Sequence, residues 1–247
     1  MHFLLLGATG ATGRLLAADL LDRGHEVRAV IRPASTLPPS LAQHDRLTLT
    51  PANLLDLSDT DLANLIRGCD GVACCLGHNM TLKGIFGPPR RLVTDATRRV
   101  CDAIQDNAPA RPTRFVLMNT AGNSNRDLDE PLSFGHACII SLLRHLIPPH
   151  ADNECAADYL RTEIGQDHPH IQWAAVRPDS LFDSNAVSPY TAHPSPTRSV
   201  FFDPGKTSRI NVAHFMALLL CEEEPWRRWR GHMPVIYNAV ADATPAA

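Results

Sequence analysis

The stretch Phe3-Leu4-Leu5-Leu6-Gly7-Ala8-Thr9-Gly10-Ala11-Thr12-Gly13-Arg14 decides the fold. Its apolar run suits a strand buried on both faces. Three glycines follow at GxxGxxG spacing. Residues 11–23 then set Leu15, Leu16, Leu20 and Leu21 near one helical face before Gly24 ends the helix. Gly7 permits a tight turn, Gly10 lets backbone approach a pyrophosphate, and Gly13 lets the helix pack close to the strand. The first amides of the helix and the positive end of its macrodipole face the phosphate. A glycine turn without a ligand is the alternative, and the strand–loop–helix context favours a dinucleotide.

Working outward, residues 26–31 read as a second strand stopped by Pro33, and residues 47–50 as a third. Residues 58–67 read as a helix with Ser58 as N-cap. A fourth strand is expected at 71–76, and a longer helix at 90–107 with Leu92, Val93, Val100 and Ile104 on its inner face. Residues 114–118 form the fifth strand. Strands alternating with helices imply right-handed crossovers and a sheet covered on both faces. The expected fold is a doubly wound, mostly parallel α/β sheet of the Rossmann-like kind, one domain over residues 1–247.

Beyond Met118 the pattern loosens. Residues 119–133 read as a loop and 134–147 as a helix broken by Pro148-Pro149. Residues 151–164 read as another helix and 171–176 as a sixth strand. Residues 178–209 are rich in proline and are expected to be a long loop. Following the carboxyl end of a strand, it is placed to cover a substrate pocket as a small C-terminal region. A short strand and helix at 210–222, a last strand at 234–237 and a loose tail at 239–247 complete the chain.

The composition narrows the function. The chain has 247 residues, 44% hydrophobic and 20% charged, with 23 basic against 26 acidic residues and a net charge of −3. That balance argues against nucleic acid as a partner, because phosphate binding calls for a basic excess. No apolar run nears the ~20 residues of a membrane helix, and the apolar segment at the N-terminus is too short for a secretion signal. Seven cysteines without metal-binding spacing suit reduced thiols in a cytoplasmic protein.

The end of the second strand separates the two dinucleotides. An NAD site usually places Asp or Glu there to bond the ribose hydroxyls. This chain reads Val30-Ile31-Arg32-Pro33, and the Arg32 guanidinium can pair with a 2′-phosphate. NADP(H) is therefore expected over NAD(H), with a solvated surface arginine as the alternative.

The glycine stretch and Val30-Ile31-Arg32-Pro33 resemble atypical short-chain dehydrogenase/reductases, most nearly the NmrA-like and biliverdin/flavin reductase-like branch. The resemblance continues through Asn53-Leu54-Leu55-Asp56, Leu76-Gly77, Met118-Asn119-Thr120-Ala121-Gly122 and Val176-Arg177-Pro178. It implies cofactor contacts at Gly7, Thr9, Gly10, Ala11, Thr12 and Gly13. It further implies Asn53 and Leu54 beside the adenine, Leu76 and Gly77 along the ribose, and Arg177 and Pro178 near the nicotinamide. Members of the family typically carry Tyr-x-x-x-Lys after the fifth strand and a hydroxyl at that strand's end. Thr120 fits the hydroxyl position, whereas His150 and Glu154 stand where Tyr and Lys belong.

His150 can serve as a general acid near neutral pH, and Glu154, four residues on, can orient it. The competing reading is a solvated pair on a helix surface. Gly205-Lys206-Thr207 matches the end of a phosphate loop, but Val200 stands where its first glycine is needed. His168 and His170 read as a turn without the partners of a metal site. Trp226-Arg227-Arg228-Trp229-Arg230, preceded by three glutamates, reads as packing and salt bridges. The expected function is an NADPH-dependent reductase of a small carbonyl, quinone or conjugated acceptor. The alternatives are an NADP(H)-binding redox sensor acting through a protein partner, and a cofactor-assisted isomerase or epimerase. An oligomer is compatible with each.

Overall fold

The computed structural model describes residues 1–78, 81–128, 130, 148–199 and 202–239, with the side chains of 82 and 83 outside that set. The helix expected at 134–147 and most of the tail lie outside the described residues. The first half follows the apolar pattern: β1 (His2–Leu6), α1 (Gly13–Asp22), β2 (Glu26–Ile31), a short α2 (Pro39–Ala42) and β3 (Leu47–Pro51). Then come α3 (Asp59–Ile66), β4 (Gly71–Cys74), a short α4 (Leu82–Phe86), α5 (Leu92–Asn107) and β5 (Thr113–Met118). The second half holds α6 (Pro148–Tyr159), β6 (Ile171–Pro178), β7 (Ser180–Phe182), β8 (Tyr190–His193) and β9 (Lys206–Ser208). It ends with α7 (Arg209–Cys221), α8 (Glu223–Trp229) and β10 (Val235–Asn238).

The main sheet runs β3-β2-β1-β4-β5-β6-β10-β8. Every pairing in it is parallel except β10 with β8. Alternation along the strands sends side chains to two separate cores. Phe3 and Leu5 join α1, α7 and α8 on one face, while Leu4 and Leu6 join α3, α5 and α6 on the other. Ser58 caps α3 as expected, its Oγ accepting from the Asp61 amide at 3.1 Å. Trp226 and Trp229 are buried at 2% and 6% exposure, and Trp226 Nε1 donates to Gln172 at 2.8 Å, so the aromatic-basic run is packing.

Three expectations are corrected. The segment 178–209 is not a structureless loop: β8 extends the main sheet through β10, and β7 pairs with β9 in a small parallel sheet. Short strands of three or four residues leave too little periodicity to see in sequence. Pro148 and Pro149 are part of α6, which reaches back past the start expected at residue 151. The helix closes with a wide π-turn over Leu160–Ile164. Lastly, residues 210–221 are helical throughout, with the preceding strand, β9, lying upstream.

Candidate functional site

The sheet order reverses between β1 and β4, because β2 lies to one side of β1 and β4 to the other. Open α/β sheets bind ligands at such a point, outside the carboxyl ends of the strands. The glycine loop leaves β1 there and residues 75–78 leave β4 beside it. Gly7 has φ +80°, and a Cβ on Gly13 would stand 2.1 Å from the Gly7 carbonyl oxygen, so α1 starts in direct contact with the end of β1. Gly10 and Ala11 are exposed. The amides of Ala11, Thr12 and Gly13 donate to no backbone acceptor among the described residues. Three free amides at the start of a ten-residue helix make a cradle suited to a pyrophosphate.

The other cofactor candidates ring this cradle along the same edge. Arg32, one residue past β2, is exposed, with Pro33, Ala34 and Ser35 following it. Asn53 begins a tight turn at the end of β3, its Nδ2 donating to Asp56 at 2.9 Å, and Leu54 is buried beneath it. Leu76 is half-buried, and Gly77 is exposed with open space around its Cα. Thr9 is half-buried and Thr12 buried.

Arg177 is placed differently. Its side chain is fully buried and every nitrogen is engaged. Nε donates to the Met233 carbonyl, Nη1 to the Asn123 carbonyl and Glu130, and Nη2 to Glu130 at 2.7 Å and the Pro194 carbonyl at 3.0 Å. The guanidinium therefore ties together the loop after β5, the segment after β8 and the approach to β10. Pro178, also buried, presents its carbonyl to the Ala121 amide at 2.9 Å.

The three catalytic candidates converge at the carboxyl end of β5. A Cβ built on Gly122 would lie 3.5 Å from His150 Cε1 and 3.7 Å from Thr120 Oγ1, so the imidazole and the hydroxyl border one small space. Thr120 Oγ1 accepts from the Gly122 amide at 3.2 Å. His150 Nε2 lies 3.8 Å from Glu154 Oε1, with side-chain exposures of 12% and 6%. The pair is thus enclosed rather than solvated. Asn119 locks helix α6 onto β5, donating through Nδ2 to the Asn153 carbonyl at 2.9 Å.

A buried group that sequence reading passed over supports the same helix. Asp152 accepts the amides of Val93 and Thr94 at 2.8 and 2.9 Å, capping α5 from outside it. His78 Nε2 sits 2.8 Å from the same carboxylate, and its Nδ1 faces the Gly84 carbonyl at 3.2 Å. Partners so distant in sequence leave no local pattern to read. Cys74, on β4 beside this site, is fully enclosed and burial pushes its thiol up to about 12, which leaves it unsuited to nucleophilic work.

Comparison with known proteins fits this geometry. The pattern of a family described as NAD(P)H-binding matches residues 7–223. A candidate dihydroflavonol 4-reductase of Synechocystis sp. is 36% identical over 78 residues, which is 31% of this chain and 21% of that protein. The match thus spans about a fifth of that relative. A short-chain dehydrogenase/reductase of Veillonella parvula, solved in complex with NADP, superposes with TM-score 0.67 at 16% identity, covering 96% of this chain and 94% of that one. An anaerobilin reductase of Escherichia coli O157:H7 gives TM-score 0.66 at 18% identity, with full coverage of both chains. At these identities the two structures share the fold.

Proposed function

Because the chain belongs to the NAD(P)H-binding family, we propose that it is an NADPH-dependent reductase of a small carbonyl, quinone or conjugated acceptor. The observation that carries this reading is the convergence of Thr120 and His150 on one space at the end of β5. The dinucleotide, when bound, supplies the hydride. The amides of Ala11, Thr12 and Gly13 hold its pyrophosphate, and Arg32 pairs with the 2′-phosphate in a position where a carboxylate would repel it. Thr120 Oγ1 donates a hydrogen bond to the acceptor oxygen. His150 delivers the proton that neutralises the oxyanion, and Glu154 keeps the imidazole turned toward the site. Enclosure of His150 and Glu154 strengthens both interactions by excluding water.

The test is titration with NADPH and NADH, followed by an acceptor panel read as loss of NADPH absorbance. NADPH is expected to bind more tightly and to be oxidised by a quinone or carbonyl. Arg32→Glu is expected to weaken NADPH far more than NADH, and equal weakening would remove the 2′-phosphate assignment. His150→Gln is expected to lower turnover about 10²-fold or more, the scale of general acid catalysis. Tight binding without turnover on any acceptor would favour the redox sensor, whose activity is carried by a partner protein.

A further inference from the structure

A dinucleotide seated as proposed above runs in one direction along the sheet. With its pyrophosphate at the start of α1, beyond β1, and its 2′-phosphate at Arg32, beyond β2, the adenosine half heads toward β3, the next strand in the order. The base then falls at the end of β3, one strand spacing or about 5 Å past Arg32. The turn of residues 53–57 stands there, with Asn53 exposed at its start. The Ala52 amide donates to the Ile31 carbonyl at 2.9 Å, which seats this turn against the end of β2.

The turn is weakly held by its own bonds. It is one short 3-10 turn, Leu54–Asp56. The Asp56 amide donates to the Asn53 carbonyl at 3.0 Å, but the Leu57 amide reaches the Leu54 carbonyl only at 3.4 Å, longer than an ordinary bond. Its carbonyls are taken up instead by Arg99, on α5. Nη1 donates to the Leu54 and Leu55 carbonyls at 3.1 and 2.9 Å, and Nη2 donates to the Leu57 carbonyl. Nη2 also meets Asp59 at 2.8 Å, yet that carboxylate is 88% exposed, and such a pair contributes little in water. Docking α3 on α5 does not call for this arginine. Leu62 and Ile66 share an apolar core with Val100 and Ile104, and Asn107 donates to the Ala63 carbonyl at 2.7 Å. The rigid fork of the guanidinium is thus committed to the shape of one turn.

We propose that Arg99 is a positioning residue for dinucleotide binding: acting through the turn of residues 53–57, it holds the wall against which the adenine rests. Without the guanidinium, three carbonyls lose their donor and the turn loosens. Binding must then order it, and affinity falls accordingly. The adenosine half is common to NADPH and NADH, so Arg99 sets affinity for both alike, whereas Arg32 sets the choice between them. Resting on the cofactor assignment of the reductase reading, this adds a side chain that acts from the helix layer rather than from the sheet edge.

The test is direct binding to the whole protein, read by fluorescence of the reduced nicotinamide. NADPH binding by the wild type tests the cofactor assignment on its own; its absence would remove that assignment and the proposal with it. Given that binding, Arg99→Met is expected to weaken NADPH and NADH by the same factor, about tenfold, the scale of one lost hydrogen bond to a charged donor. Reduced nicotinamide mononucleotide, which lacks the adenosine half, is expected to bind wild type and variant alike. Ethylguanidinium added to Arg99→Ala is expected to restore part of the lost NADPH affinity. Arg99→Lys, which keeps the charge without the fork, is expected to fall between wild type and Arg99→Met. In the ligand-free protein, hydrogen exchange at the Asp56 and Leu57 amides is expected to quicken in Arg99→Met while the β1 amides stay protected. Equal weakening of NADPH and the mononucleotide would show a general loosening and overturn the proposal, as would unchanged NADPH affinity in Arg99→Met. A loss confined to NADPH, with NADH spared, would also overturn it by assigning Arg99 to the 2′-phosphate.

Discussion

Arg177 shows how much a single buried side chain can decide. Its charge sits at 0% exposure against Glu130 at 4%, and its remaining donors are spent on three carbonyls from different segments. A buried pair of this kind contributes little over an apolar replacement of both members, yet removing one member strands the other charge. Arg177→Met is therefore expected to cost about 3–5 kcal/mol, read by urea unfolding. Arg177→Met combined with Glu130→Gln is expected to recover a substantial part of that loss. Additive losses in the double variant would mean that the carbonyl contacts, and not the charge pair, carry the effect. Sequence alone placed Arg177 beside the nicotinamide because Val176-Arg177-Pro178 has the right neighbours. It could not reveal Glu130, 47 residues away, which turns the guanidinium into the core.

At the scale of elements, helix α6 joins the fold to the candidate chemistry. One side of it sends Asp152 to cap α5 and meet His78, and another presents His150 and Glu154 to the end of β5. Asp152→Ala removes two capping bonds and leaves buried His78 without its carboxylate. The expected cost is about 3 kcal/mol, or roughly 6–12 °C in melting temperature for a chain of this size. Turnover is expected to fall with stability restored by mild conditions, since α6 then holds His150 less firmly. Asp152→Asn, which keeps an acceptor for one amide, is expected to fall between the two. Elements whose signal is local were legible: β1, β2 and α1 from their apolar runs, α3 from Ser58. The π-turn, the inclusion of Pro148 and Pro149 in α6 and the strands within 178–209 depend on tertiary neighbours, so no period in the sequence announces them.

The whole molecule is a sheet between two apolar layers, and two adjacent cysteines report on them separately. Cys74 points into the layer beneath α3, α5 and α6, whereas Cys75 points into the layer beneath α1 and α7. Cys101, on α5, joins the first layer and is fully buried. Burial raises all three thiols, Cys74 to about 12, so the reactive thiolate is scarce even before access is considered. Cys155 is exposed on α6. A thiol reagent applied to the native protein and mapped by mass spectrometry is expected to modify Cys155 and spare Cys74, Cys75 and Cys101. Repeated across a urea series, labelling of those three is expected to rise at one common midpoint, coincident with loss of helical circular dichroism. The strands contribute side chains to both layers at alternate residues, so neither layer can open while the sheet between them stays intact. Separate midpoints for Cys74 and Cys75 would show that the sheet does not couple its faces, and would divide what the topology presents as one cooperative unit.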